Sequence, residues 1–183
     1  MLLVLSGPSG AGKDAVCDAL SKTMLIDRLP AYTTRTRRPS EIEGVHYRYV
    51  TRAQFEQLQS DAEFFDMVDV NGCLYGTPFQ DFLDASRADN WFIISMAVRS
   101  ALMLRKELKT TCVVYVLPPS RGEQIRRLIH RGYSEFDAQA RLCDDPDETG
   151  LCLDADYIVV NYRDELAATA ERVRRYLQET PIV

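Results

Sequence analysis

The sequence predicts an α/β fold: a doubly wound parallel sheet interrupted by a small, mostly-β lobe. Three observations carry that prediction. An apolar run from Leu2 to Leu5 leads into a glycine-rich loop and then an amphipathic stretch. Two unbroken apolar runs, WFIISM from Trp91 and TCVVYVL from Thr111, flank the helical pattern VRSALMLRKEL, as expected of strands buried on both faces. The stretch from about residue 32 to 78 breaks this alternation, being polar, arginine-rich and turn-containing.

Each element follows from local pattern. Val16, Leu20 and Met24 share one face of the first helix. The polar segment from Tyr32 closes in the alternating VHYRYV, which reads as a strand ending at Val50. TRAQFEQLQSDAEFF reads as a short helix with Thr51 as its N-cap. Asn71-Gly72 between alternating flanks signals a hairpin. TPFQDFLDASRAD is helical, with Pro78 at its first position. SRGEQIRRLIHRG is a helix stopped by Gly132, and a further helix runs from Glu135 to Leu142. CDDPDETGLCLDA lacks pattern, DYIVVN is a last strand, and DELAATAERVRRYLQET is a closing amphipathic helix. A chain of 183 residues without internal repeats reads as a single domain, 1–183.

A net charge of −5 argues against general nucleic-acid binding. The basic residues nevertheless cluster, in Arg35, Arg37, Arg38, Arg48 and Arg52, and again in Arg121, Arg126, Arg127 and Arg131. Local basic sites on an acidic chain suit small anionic ligands. Five cysteines without a CxxC pair fit reduced thiols and a cytoplasmic protein. No apolar run reaches membrane-spanning length, and MLLVL is too short for a signal peptide. Leu102, Met103 and Leu104 suit a core or a homodimer interface equally.

The strongest chemical signal is Gly7-Pro8-Ser9-Gly10-Ala11-Gly12-Lys13, glycine followed by four residues and Gly-Lys. Glycines there let backbone N–H groups converge on an anion at a helix N-terminus, and a lysine adds a point charge for phosphates. The triphosphate-binding set is accordingly Gly7, Ser9, Gly10, Ala11, Gly12, Lys13, Asp14 and Ala15. Asp14 departs from the Ser or Thr usual after the lysine. Mg²⁺ also accepts carboxylate oxygen, which makes Asp14 a candidate metal ligand.

SGPSGAGK, YTTRTRRPSEIEGVHYRYV, AEFFDMVDVNGCLYGTP, VLPPS and DYIVVN stand in the order and at the spacing seen in guanylate kinases. The chain resembles that family from Leu2 to about Leu177. The resemblance implies a P-loop nucleoside monophosphate kinase that uses ATP and Mg²⁺, with nucleotides as its partners. It implies a core over 1–31 and 79–183, an acceptor lobe over about 32–78 and a helical lid over about 121–150. It places Arg35, Arg38, Tyr47 and Tyr75 at the acceptor phosphate, and Asp69 and Thr77 at the base. It assigns catalysis to Lys13 with lid arginines Arg127, Arg131 and Arg141, and sets Asn161 near the donor adenine.

Other positions depart from the family. Ser95, Ala97, Arg99 and Ser100 occupy a run that usually carries two acids, and Ala31 replaces a serine. The Gly-Lys-Asp loop is shared with ribose 1,5-bisphosphate phosphokinase, a relative of the same fold. Three readings follow: a kinase of GMP or dGMP, a same-fold kinase of a sugar bisphosphate or modified nucleotide, and a catalytically silent protein-binding module. Retention of Lys13 speaks against the last.

Overall fold

The computed structural model describes residues 1–61, 64–70, 72–142 and 148–180. In chain order the elements are β1 (Leu2–Ser6), α1 (Lys13–Thr23), β2 (Ile26–Arg28), β3 (Ala31–Thr33), β4 (Tyr47–Tyr49) and α2 (Arg52–Asp61). Then come β5 (Phe64–Val70), β6 (Cys73–Pro78), α3 (Phe79–Arg87), β7 (Trp91–Ser95), α4 (Val98–Glu107) and β8 (Thr111–Leu117). The chain closes with α5 (Arg121–His130), α6 (Glu135–Ala140), α7 (Glu148–Leu151), a 3₁₀ turn at Cys152–Asp154, β9 (Tyr157–Val160) and α8 (Leu166–Glu179). None of the helices among the described residues is long and apolar enough to cross a membrane.

Contacts divide the chain into two compact units, one of Met1–Leu2 with Ile26–Ile94 and one of Leu3–Leu25 with Ser95–Val183. The first unit holds a four-stranded sheet ordered β4-β3-β6-β5. β3 pairs parallel with β4 and antiparallel with β6, while β5 and β6 form an antiparallel hairpin. Gly72 takes φ 77 in the turn, which a left-handed turn position requires of glycine; Asn71 lies outside the described residues. The same unit carries the short parallel pair β2–β7. Its core forms around Phe55 and Phe82, both fully buried. Thr51 caps α2 as expected: its Oγ1 accepts from the Gln54 amide, and the Gln54 side chain accepts from the Thr51 amide.

Two boundaries differ from the sequence reading. Phe64 and Phe65 open β5 and do not end α2. Phe64 still stacks on Phe55, at 5.2 Å between ring centres, so one apolar cluster draws on two elements. Pro78 ends β6 and serves as the N-cap of α3, because its ψ of 138° is extended. The three-residue strands β2 and β3 are too short to show a period in sequence.

In the second unit β1, β8 and β9 lie in that order, with β8 and β9 parallel. β1 is buried along its whole length, and β8 at all but its last residue. Leu104 and Leu102 belong to this core and Met103 is 52% exposed, so two of the three residues weighed for an interface are interior. Ser120 and Ser134 cap α5 and α6, each accepting an amide N–H three residues on. α6 ends at Ala140, earlier than the sequence pattern suggests. The first five residues of the patternless stretch, 143–147, lie outside the described residues, and the remainder forms α7 and the 3₁₀ turn. Cys17, Cys112 and Cys152 are buried and Cys73 is half-buried.

Candidate active site

The glycine loop leaves β1 at Ser6 and enters α1 at Lys13. Its path demands glycine at two points. A Cβ on Gly7, at φ 136, would stand 2.2 Å from the Val116 carbonyl oxygen, inside any tolerable contact. A Cβ on Gly12, at φ 93, would stand 2.4 Å from Asn161 Nδ2. Close approach to β8 and to the residue after β9 thus sets the turn.

Side chains then hold the loop by its carbonyls. Lys13 Nζ donates to the Gly7 oxygen at 2.5 Å. Gln124 Nε2 donates to Ser9 O at 2.6 Å, and Asn161 Nδ2 to Ala11 O at 2.9 Å. Arg127 donates to Ala11 O at 3.0 Å and to Asn161 O at 2.8 Å. Its Nε is fixed by buried Glu123, which also binds Arg126. The loop's carbonyls are thus taken up by side chains around it, and one of its own amides, Ala11 N–H, donates to Pro8 O at 3.1 Å.

A cavity of about 430 Å³ opens beside the loop, lined among others by Gly12, Ala15, Arg127, Arg131 and Asn161. Arg127 and Arg131 therefore sit together there. Arg141 follows α6 with its guanidinium 4.3 Å above the Tyr133 ring. Arg127 as placed is a clamp on the loop backbone, a role that the sequence pattern does not reveal.

Asp14 stands in the first turn of α1. Among the described residues no group of three or more His, Cys, Asp or Glu side chains is gathered to hold a metal. That donor chemistry does not make an all-protein cage. The single carboxylate of Asp14 is the kind of donor Mg²⁺ takes, since that ion keeps water and binds through one or two carboxylates plus substrate phosphates.

The second candidate site lies in the other unit and is built on charge. Glu41 is its centre, 7% exposed. It accepts bidentately from Arg35, at 2.8 and 3.1 Å, and from the Arg38 amide at 2.8 Å, with Arg38 Nη1 at 3.4 Å. The Tyr49 hydroxyl donates to it at 2.7 Å. Arg35 Nε reaches the Tyr75 hydroxyl at 3.1 Å, and its guanidinium lies over the Tyr47 ring at 5.4 Å. Tyr47 and Tyr75 meet edge to face. The four residues expected at the acceptor phosphate are thus brought together, three directly and Arg38 through Glu41.

Burial by itself would raise the Glu41 carboxyl, but hydrogen bonds from Arg35, Tyr49 and the Arg38 amide, with the charge of Arg35, outweigh it and hold it down at about 2. The Tyr49 hydroxyl is pushed up, by burial and by its bond to Glu41. Sequence reasoning missed Glu41. The available signal was an acid set within a run of arginines, where a charge partner is expected.

Strand register corrects one expectation. β5 pairs β6 with Asp66 opposite Thr77, Val68 opposite Tyr75 and Asp69 opposite Leu74. Directly opposed residues share a sheet face and neighbours alternate. Tyr75, Thr77 and Asp66 therefore lie on one face and Asp69 on the other. Asp69 is exposed, and its Oδ1 accepts the Gly72 amide at 2.7 Å, which spends it on the hairpin turn. Thr77 is 2% exposed. Asp66, which the sequence reading passed over, is the acid on the face of the tyrosine and the threonine.

A buried strand, a glycine loop and a helix opening on a lysine define the class: a P-loop phosphotransferase. The chain belongs to the guanylate kinase family, whose profile matches residues 1–180. It is 34% identical over 187 residues to the guanylate kinase of Agrobacterium fabrum, covering 96% of this chain and 84% of that one. It is 38% identical over 134 residues to that of Carboxydothermus hydrogenoformans, covering 72% and 65%. The crystal structure of guanylate kinase from Anaplasma phagocytophilum superposes with a TM-score of 0.74 at 26% identity, covering 98% and 85%. The α/β fold read from the sequence is borne out by that likeness.

Proposed function

We propose that this enzyme moves the γ-phosphoryl group of ATP to the phosphate of a nucleoside monophosphate, GMP or dGMP, in the cytoplasm. The observation that carries the reading is the Arg35–Glu41–Arg38 cluster with Tyr47 and Tyr75. Two guanidiniums fixed by one carboxylate retain a single net positive charge, and hydroxyls beside them add donors without more charge. That suits a phosphate monoester. Asp66 and Thr77, on the Tyr75 face, supply an acceptor and a hydroxyl for the N–H edge of a guanine.

Lys13 leaves the Gly7 oxygen for the triphosphate, and the loop amides bind the phosphate oxygens. Arg131 adds positive charge beside them, and Arg127 keeps the loop in shape. Asp14 would give Mg²⁺ a protein oxygen, and the ion would neutralise phosphate charge. The acceptor phosphate oxygen attacks the γ-phosphorus, the bond to the β-phosphate oxygen breaks, and ADP leaves. No covalent intermediate on the protein is required, so positioning and cationic stabilisation account for the rate.

A second reading rests on Asp14 and on Ser95, Ala97, Arg99 and Ser100 where acids are usual: the acceptor is a sugar bisphosphate. An ADP-release assay across GMP, dGMP, other monophosphates and ribose 1,5-bisphosphate separates the two. Turnover of GMP or dGMP supports the first reading, and turnover of the sugar bisphosphate alone supports the second. Silence throughout overturns both. Lys13→Ala should lower turnover by about 10² or more; an unchanged rate would remove Lys13 from the chemistry.

A further inference from the structure

A second cavity, of about 410 Å³, shares no residue with the one at the glycine loop. Arg105 and Lys106, from the last turn of α4, line it together with Lys109 from the turn beyond. Thr111 and Cys112 enter it from the start of β8, and Asp156 and Tyr176 close it. Its charge is one-sided. Asp156 is the one acid lining it, and both of its oxygens are used: one takes Arg105 at 2.6 Å, the other the Val113 amide at 2.7 Å. Lys106 and Lys109 have no acidic partner among the described residues.

Basic residues in the last turn of a helix commonly answer its dipole, and that would explain Arg105 and Lys106. It explains neither Lys109, which lies past the helix, nor Thr111. Thr111 is 3% exposed, and its Oγ1 has no hydrogen-bond partner among the described residues. A buried hydroxyl left unsatisfied costs about 1–3 kcal/mol. The cost is removed if an oxygen-rich ligand meets it. Cys112 adds no reactivity here: burial, then the charge of Asp156, pushes its thiol up to about 12, so it stays neutral.

We propose that this cavity is a second anion site, taking the phosphate group of a small phosphorylated ligand or inorganic phosphate. Two ammonium groups without an acidic partner among the described residues match a dianion, and Thr111, turned about its Cα–Cβ bond, would offer it a directional donor. A concave volume of this size takes a small molecule, whereas an acidic chain of net charge −5 would repel nucleic acid.

Amide NMR of the ¹⁵N-labelled full chain tests it, with inorganic phosphate titrated at ionic strength matched by chloride. The Thr111 and Cys112 amides should shift saturably, whatever happens at Gly10 and Gly12. Lys106→Ala/Lys109→Ala should weaken that response about tenfold or more, and Thr111→Val a few-fold. The loop amides report that each variant is still folded. Ribose 5-phosphate in place of phosphate distinguishes the sources: tighter binding identifies a phosphate ester, equal binding the free ion. Absence of a saturable shift at Thr111 and Cys112, an equal shift with chloride alone, or unchanged binding in the double variant would overturn the proposal.

Discussion

The glycine loop and the arginine cluster, the two sites proposed to meet phosphate, are held in shape by opposite means. At the loop, side chains from α5 and from the residue after β9 seize backbone carbonyls. At the cluster, one carboxylate seizes the side chains of arginine and tyrosine. The first device is steric and tolerates no added atom at Gly7. The second is electrostatic and is set by how one acid neutralises part of two cations. A backbone site holds whatever carries phosphate, while a side-chain site can be tuned to one charge and shape.

Substitutions can break this contrast. The largest effect should come from Gly7→Ala, whose methyl has no room against the Val116 carbonyl. A loss of roughly 3 kcal/mol or more in urea unfolding, with ATP binding abolished, is expected. Normal stability would mean that the loop path is not steric in origin.

Glu41→Gln should come next, because it leaves Arg35 and Arg38 unanchored while the shape is kept. The acceptor KM should rise about tenfold or more against little change for ATP; equal effects would contradict the cluster's assignment to the acceptor. Acid stability gives a second readout. Glu41 sits at about 2 in the folded chain against an ordinary 4.5, so the folded state binds that proton less readily than the unfolded one. Its stabilisation is complete above pH 4.5 and is lost as pH falls from 4.5 towards 2. The Gln variant should lack that component.

The register makes a finer comparison. Asp66→Asn should cut discrimination for guanine over adenine monophosphate by about tenfold. Asp69→Asn should leave discrimination alone and cost only about 0.5–1 kcal/mol through the hairpin bond to Gly72. The reverse ranking would mean that the strands pair in another register. Tyr49→Phe is a change of similar size: one hydrogen bond to Glu41 is lost, about 1 kcal/mol, with the bidentate Arg35 pair intact.

The two sites also differed in how far they could be read before folding. The loop, Thr51 as a cap, the helices from Lys13 and Arg121, and the strands at Trp91 and Thr111 are local, and their residues speak through spacing and conformational need. Phe64 and Phe65 misled because an apolar residue joins the same cluster whether it arrives on a helix or a strand. Asp66 was invisible for another reason: what it does depends on residues brought alongside by pairing between strands, whereas Glu41 meets Arg35 and Arg38 within six residues and carried a local signal.

The amino-acid sequence on its own determined the α/β class, the glycine loop and the clustering of the arginines, since glycine geometry and clustered charge act over a few residues; Tyr47 and Tyr75 joined them only through the family resemblance. Only the tertiary structure decided that Asp66 and not Asp69 faces with Tyr75 and Thr77. It alone decided that Glu41 ties the arginines together and that Arg127 grips the loop by its carbonyls. A one-residue step along a strand turns a side chain to the other face, and no local preference encodes that step; it is chosen by the hydrogen-bonded neighbour.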